Sequence, residues 1–123
     1  LAPDVQFVLD HCGVPDIRSD AYEPWKAGIS EIARRPNVVC KVSGVAAYAD
    51  AETWTAQTLR PYIEHVIASF GWDRVVWGSD WPVCTLGGGL STWVAATHAV
   101  LSGSSEAERS GLLFANAQRL WSL

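Results

Sequence analysis

Three short apolar runs limit the folds open to this chain more than any other feature. "VQFVLDH", "VVCKVSG" and "RVVWGSD" each end in a polar residue or glycine. They are near-continuous rather than cleanly alternating, the pattern of parallel strands covered on both faces. Helical patterns lie between them. Trp25, Ile29, Ile32 and Ala33 share one face, and Pro36 ends that segment. Leu59, Ile63, Val66, Ile67 and Phe70 form a stricter stripe, with Thr58 expected as N-cap, Pro61 in the tolerant first turn and Gly71 as the stop.

After the third run, Trp93, Ala96, Val100 and Leu101 share a face and Gly103 closes the segment. The last helix is expected to start at Ser105, which has capping-box spacing to Glu108, and to bury Leu113, Ala117, Leu120 and Trp121. The order is therefore βαβαβαα, an α/β chain. Spacings of about 30 to 40 residues between strands suit βαβ crossovers, so the strands should be parallel neighbours with their C-terminal ends on one edge. Ligands bind at that edge in parallel sheets and barrels, and here it carries His11, Lys41, Ser43 and Asp80.

Alternation along the strands puts Val76 and Gly78 on the face of Asp80, and Phe7 and Leu9 on the face of His11, so that an imidazole and a carboxylate could meet over an apolar floor. A plainer reading stays open for each. "SDWP" could be an Asx turn before a proline, and "DHCG" could hold a histidine at a turn. Lys41 must either face a polar cavity or snorkel past the helices. His65 and His98 fall off their helix stripes and are expected in solvent. "CTLGGGLS" lacks the lysine and spacing of a phosphate loop and is expected to be a mobile loop at the mouth of the site.

Composition narrows the partners. No apolar run approaches the roughly 18 residues of a membrane span, and no signal-peptide pattern opens the chain. The nine Lys and Arg are scattered and the net charge is −4, against a nucleic-acid or anionic-membrane surface and for a small-molecule substrate. Cys12, Cys40 and Cys84 stand singly with no CxxC spacing, which suits reduced thiols in a cytoplasmic protein. The 123 residues contain no methionine, so a piece of a longer chain is expected.

"FVLDHCGVP", "WKAGISEIARRPNVVCKVSG", "TLRPYIEHVIASFGWDRVVWGSDWPV" and "EAERSGLLFANAQRLWSL" together resemble the amidohydrolase-related metal-dependent hydrolases, and within them the L-fuconolactonase-like sugar lactonases. The resemblance runs nearly end to end. It implies a (β/α)8 barrel of TIM type, in which residues 1–123 are the C-terminal part with strands six to eight, the N-terminal part lying outside this sequence. It also implies that His11 and Asp80 are catalytic, and that Asp80 is a metal ligand whose companions, including the family's His-x-His motif, lie elsewhere. The implied cofactor is a divalent metal, zinc first, although some relatives hydrolyse lactones without metal.

The expected activity is then opening of sugar lactones or related cyclic esters by activated water. Lys41 and Ser43 would bind substrate oxygens and Trp81 would place its ring against the sugar. A decarboxylase or hydratase of the same superfamily is the alternative enzyme, and a non-catalytic α/β module or half-barrel the alternative outside enzymes. With five strands missing, Phe7, Leu9, Val39 and Val76 are expected to lack partners, leaving the rest of the barrel or a partner chain to cover the open edge.

Overall fold

The computed structural model describes residues 2–123. Three parallel strands, β1 (Phe7–Leu9), β2 (Val38–Val42) and β3 (Val75–Trp77), lie in the order β1-β2-β3. All three runs of the sequence are strands, and their C-terminal ends share one edge. Between and after them come α1 (Tyr22–Ile32), the short α2 (Val45–Tyr48), α3 (Ala56–Phe70), α4 (Leu90–Val100), α5 (Glu106–Ser110) and α6 (Asn116–Trp121).

Register decides which strand residues meet the helices. Phe7 pairs with Val38 and Leu9 with Cys40, while Cys40 also pairs with Val75 and Val42 with Trp77. This set packs with Ile29, Leu59, Ile63, Val66, Phe70, Trp93 and Val100 in one core. Each fully buried aliphatic side chain there contributes about 1.5–3 kcal/mol. Phe7 and Leu9 therefore belong to the helix side, not to the face expected from His11. Nor are Val39 and Val76 left bare, being 1% and 3% exposed. Val8, by contrast, is 41% exposed.

The helix stripes on α3 and α4 are buried as their periodicity requires. The start of α3 is earlier than expected. Thr55 is its N-cap and donates its backbone N–H to Thr58 Oγ1 at 3.1 Å, so Thr58 is the partner within the capping box. Ser105 and Glu108 do form the expected capping box, each backbone N–H donating to the other's side chain at 2.8 and 3.1 Å.

Beyond α5 the outcome differs. A wide π-type turn over Gly111–Ala115 intervenes, and one extra residue rotates the remainder of the helix by about 100° about its axis. Leu112 and Asn116 become the buried residues, while Leu113 and Trp121 are 37% and 45% exposed. Asn116 Nδ2 donates to the carbonyls of Trp72 and Val75 at 2.5 and 2.8 Å, tying the C-terminal segment to β3.

His65 also departs from expectation. It is half-buried, with Nε2 at 3.1 Å from both Ser30 Oγ and the Lys26 carbonyl, and so joins α3 to α1. His98 is exposed. The glycine-rich stretch after Asp80 forms a 3-10 turn over Val83–Gly87. Gly87 lies so close to α2 that a Cβ there would sit 2.6 Å from the Ala46 carbonyl oxygen.

Candidate active site

The site begins where the strands end. Leaving β1, the chain enters a tight turn in which His11 and Cys12 take left-handed backbone angles, with φ of 53° and 52°. Leaving β3, Asp80 does the same at φ 54°. Residues other than glycine rarely adopt this region, and where they do the surrounding structure must hold them there. Strand alternation thus stops before both residues, which explains how His11 leaves the helix side of Leu9 and meets Asp80 over the sheet edge.

Meet they do. His11 Nδ1 lies 3.5 Å from Asp80 Oδ2 and 2.9 Å from Ser43 Oγ, at the end of β2. The His11 and Asp80 side chains are 26% and 14% exposed, so both reach the surface, whereas Ser43 is fully buried. Gly44 comes next with φ 73°, and a Cβ there would stand 3.0 Å from Asp80 Oδ2 and 3.1 Å from His11 Nδ1. Only a residue without a side chain leaves the pair together.

Lys41 pairs in register with Val76, on the side of β2 away from the helix core. Its ammonium meets Asp10 Oδ1 at 2.9 Å, which settles the choice in favour of the polar side. Gly78 makes room for it, since a Cβ at that position would lie 2.7 Å from Lys41 Cε. Asp80, His11, Ser43 and Lys41 are thus gathered along one edge. Trp81 is not drawn into the cluster: it is 70% exposed.

Two further neighbours complete the edge, and Asp10, expected beside His11 as a partner of loop amides, pairs instead with Lys41. Tyr48, on α2, sets its ring edge-on to His11 with centroids 6.4 Å apart. Burial, and then the charges of Asp80 and Asp10, push its phenol above the usual value of 10.0, so it stands beside the carboxylate as a neutral group. An aromatic residue soon after "VSG" was the one available hint.

The cysteines are not nucleophiles of this site. Cys12, Cys40 and Cys84 are free and buried. A hydrogen bond with Cys12, then burial, drives the Cys40 thiol far above its ordinary range and keeps it neutral. Among the described residues, no group of three or more His, Cys, Asp or Glu side chains is placed to hold a metal. His11 and Asp80 fall short of the three protein ligands usual for a catalytic zinc, so these residues do not by themselves fit one. Nor is any helix among the described residues long and apolar enough to cross a membrane.

Comparison with known proteins adds a family. The Amidohydrolase family model matches residues 1–123. The L-fucono-1,5-lactonase of Burkholderia ambifaria is 41% identical over 86 residues, covering 70% of this chain and 29% of that protein. The L-fucono-1,5-lactonase of Burkholderia multivorans is 34% identical over 144 aligned positions, covering 98% of this chain and 48% of that protein. The crystal structure of an amidohydrolase from Burkholderia multivorans with bound Zn superposes with a TM-score of 0.90 at 33% identity, covering 97% of this chain and 44% of that one. The chain thus spans less than half the length of each of these relatives.

Proposed function

The chain belongs to the amidohydrolase family, and from that premise we propose that the intact protein is a hydrolase that opens sugar lactones or related cyclic esters with an activated water. The observation that carries this reading is the meeting of His11 and Asp80, 3.5 Å apart at the ends of β1 and β3. The similarity to the two L-fucono-1,5-lactonases supports the substrate class.

Opening a lactone requires a base for the attacking water, a donor for the developing oxyanion and a proton for the leaving alkoxide. Asp80 is assigned as the base. It takes the proton of water as the oxygen bonds to the carbonyl carbon, and its acid form returns that proton to the ring oxygen when the C–O bond breaks. His11 orients the water beside it. The Lys41 ammonium, anchored on Asp10, is assigned to the carbonyl oxygen or a substrate hydroxyl, and the exposed ring of Trp81 to the apolar face of the sugar. Ser43, expected to touch substrate, is buried with its hydroxyl against His11, so we assign it a role through that imidazole instead.

The architecture we infer is the C-terminal part of a (β/α)8 barrel, residues 1–123 supplying strands six to eight, with the rest of the barrel or a partner chain at the open edge. Asp80 would be this chain's contribution to a divalent metal, zinc as in the structural neighbour, and the other ligands would come from outside these residues. Such a metal supplies a more acidic bound water. A cytoplasmic location is our reading of the three single cysteines.

The reaction class is tested by incubating the intact protein with five- and six-membered sugar lactones in 18O-labelled water. The expected product is the open hydroxy acid with one 18O in its carboxyl group. Release of CO2, or addition of water across a carbon–carbon double bond, would replace this reading with a decarboxylase or hydratase.

A further inference from the structure

The loop that follows His11 encloses a hollow that the proposed chemistry leaves unused. Val14 donates its backbone N–H to the His11 carbonyl at 2.9 Å, and Arg18 donates its own to the Tyr48 carbonyl at 3.2 Å. The loop is thus tied at one end to the turn of His11 and at the other to α2. Between these ties lies a hollow of about 350 Å³, walled by Val14, Pro15, Asp16, Arg18, Ala47 and Tyr48. That volume is at the lower end of the range for small-molecule sites. Tyr48 belongs to both places, since it walls the hollow and also sets its ring edge-on to His11. Its Cε2 lies 3.1 Å from the point at which a Gly44 Cβ would stand, and from that point Asp80 Oδ2 and His11 Nδ1 are 3.0 and 3.1 Å away. One aromatic ring therefore separates the hollow from the pair.

Arg18 and Asp16 give the hollow its chemistry. Both are exposed, and among the described residues neither joins an ion pair. Asp16 uses Oδ1 to accept the Ser19 backbone N–H at 3.2 Å and keeps its other oxygen. A guanidinium only donates hydrogen bonds and a carboxylate only accepts them, whereas a hydroxyl does both. One of each on the same wall matches neighbouring hydroxyl groups. An anionic substituent matches less well, because the charge of Asp16 offsets that of Arg18. We infer that this hollow is a subsite for the sugar hydroxyls remote from the lactone carbonyl, with Arg18 and Asp16 as the residues that read them and Tyr48 as the wall towards the reacting groups. Both residues set specificity and take no part in making or breaking bonds.

That the hydroxyls belong to a lactone rests on the hydrolase reading, but the affinity for them does not. The test compares the intact wild-type protein with Arg18→Ala on a six-membered sugar lactone and on δ-valerolactone, the same ring without hydroxyls. Arg18 is exposed and its tie to Tyr48 is made by the backbone, so the variant keeps the fold. Arg18→Ala should raise KM for the sugar lactone about 10-fold, the scale of a lost hydrogen bond to a charged group, with kcat little changed. Its kcat/KM on δ-valerolactone should match that of the wild type. Calorimetry with a neutral pyranose of the same hydroxyl pattern gives the comparison without turnover, and Arg18→Ala is expected to weaken its Kd by a similar factor. A loss shared equally by both lactones, or no loss on either, would overturn the subsite. So would an Arg18-dependent preference for a lactone that bears a carboxylate. Pyranose binding that depends on Arg18, in a protein that opens no lactone, would uphold the subsite and refute the hydrolase reading alone; a protein that does neither would refute both.

Discussion

Gly44 shows how narrow the tolerances of the site are. Substituting alanine would place a methyl 3.0 Å from Asp80 Oδ2 in a backbone conformation, φ 73°, that side chains disfavour. Gly44→Ala is expected to cost about 1–2 kcal/mol from the left-handed conformation alone, and to depress turnover further by parting His11 from Asp80. Urea melts and lactone kinetics on the same preparation check both effects. Tyr62 offers the opposite case. Its ring is buried at 4% exposure, and its hydroxyl has no hydrogen-bond partner among the described residues. Tyr62→Phe should therefore be neutral or slightly stabilising near pH 8, since an unsatisfied hydroxyl is removed without loss of packing. Burial, then the Asp20 charge, raises the Tyr62 phenol above 10.0. Its neutral form is thus favoured by folding, so that contribution is complete below about pH 10 and fades as the pH climbs through the folded-state value. Melts at pH 8 and pH 11 should show a smaller alkaline loss in Tyr62→Phe than in the wild type. At this scale the sequence disclosed Asp80, His11 and Lys41, because each stands at or near the end of an apolar run. It did not disclose the pairing of Asp10 with Lys41, the approach of Tyr48 to His11 or the burial of Ser43.

Secondary elements were legible wherever one face repeats over several turns. Leu59, Ile63, Val66, Ile67 and Phe70 on α3 are all buried, as are Trp93, Ala96 and Val100 on α4. The faces of β1 were not legible, because three residues are too few for alternation to declare a side and the register with Val38 and Cys40 decides it. The C-terminal segment misled for another reason. "GLLFANAQRLW" supports a helical stripe in either of two rotations, and the wide turn at Gly111–Ala115 selects the one that buries Leu112 and Asn116. Asn116→Ala tests that selection. Losing the two donations to Trp72 and Val75 leaves both carbonyls without that partner, at an expected cost of about 1–3 kcal/mol. Leu113→Ala, at a 37% exposed position, should cost less. The reverse order in chemical denaturation would mean that the stripe read from periodicity is the buried one.

For the molecule as a whole, the sheet edge is what turns a modest α/β assembly into a candidate enzyme. Residues far apart in sequence, His11, Ser43 and Asp80, come within hydrogen-bonding range or close to it because three parallel strands end on the same side. Among the described residues β1 and β3 each pair with one neighbour only, so the sheet remains open at both sides. Closure by further strands is what the proposed barrel supplies, and it would place His11 and Asp80 at the rim of an interior rather than at an open edge. The central claim, that this pair performs the hydrolysis, is met most directly by one measurement: the steady-state rate of sugar-lactone opening by the intact wild-type protein and by Asp80→Asn, with folding of both verified by circular dichroism. Removing the base while keeping its shape should lower kcat about 100-fold or more, the scale of lost general acid–base catalysis; an undiminished kcat in a folded Asp80→Asn protein would contradict the account.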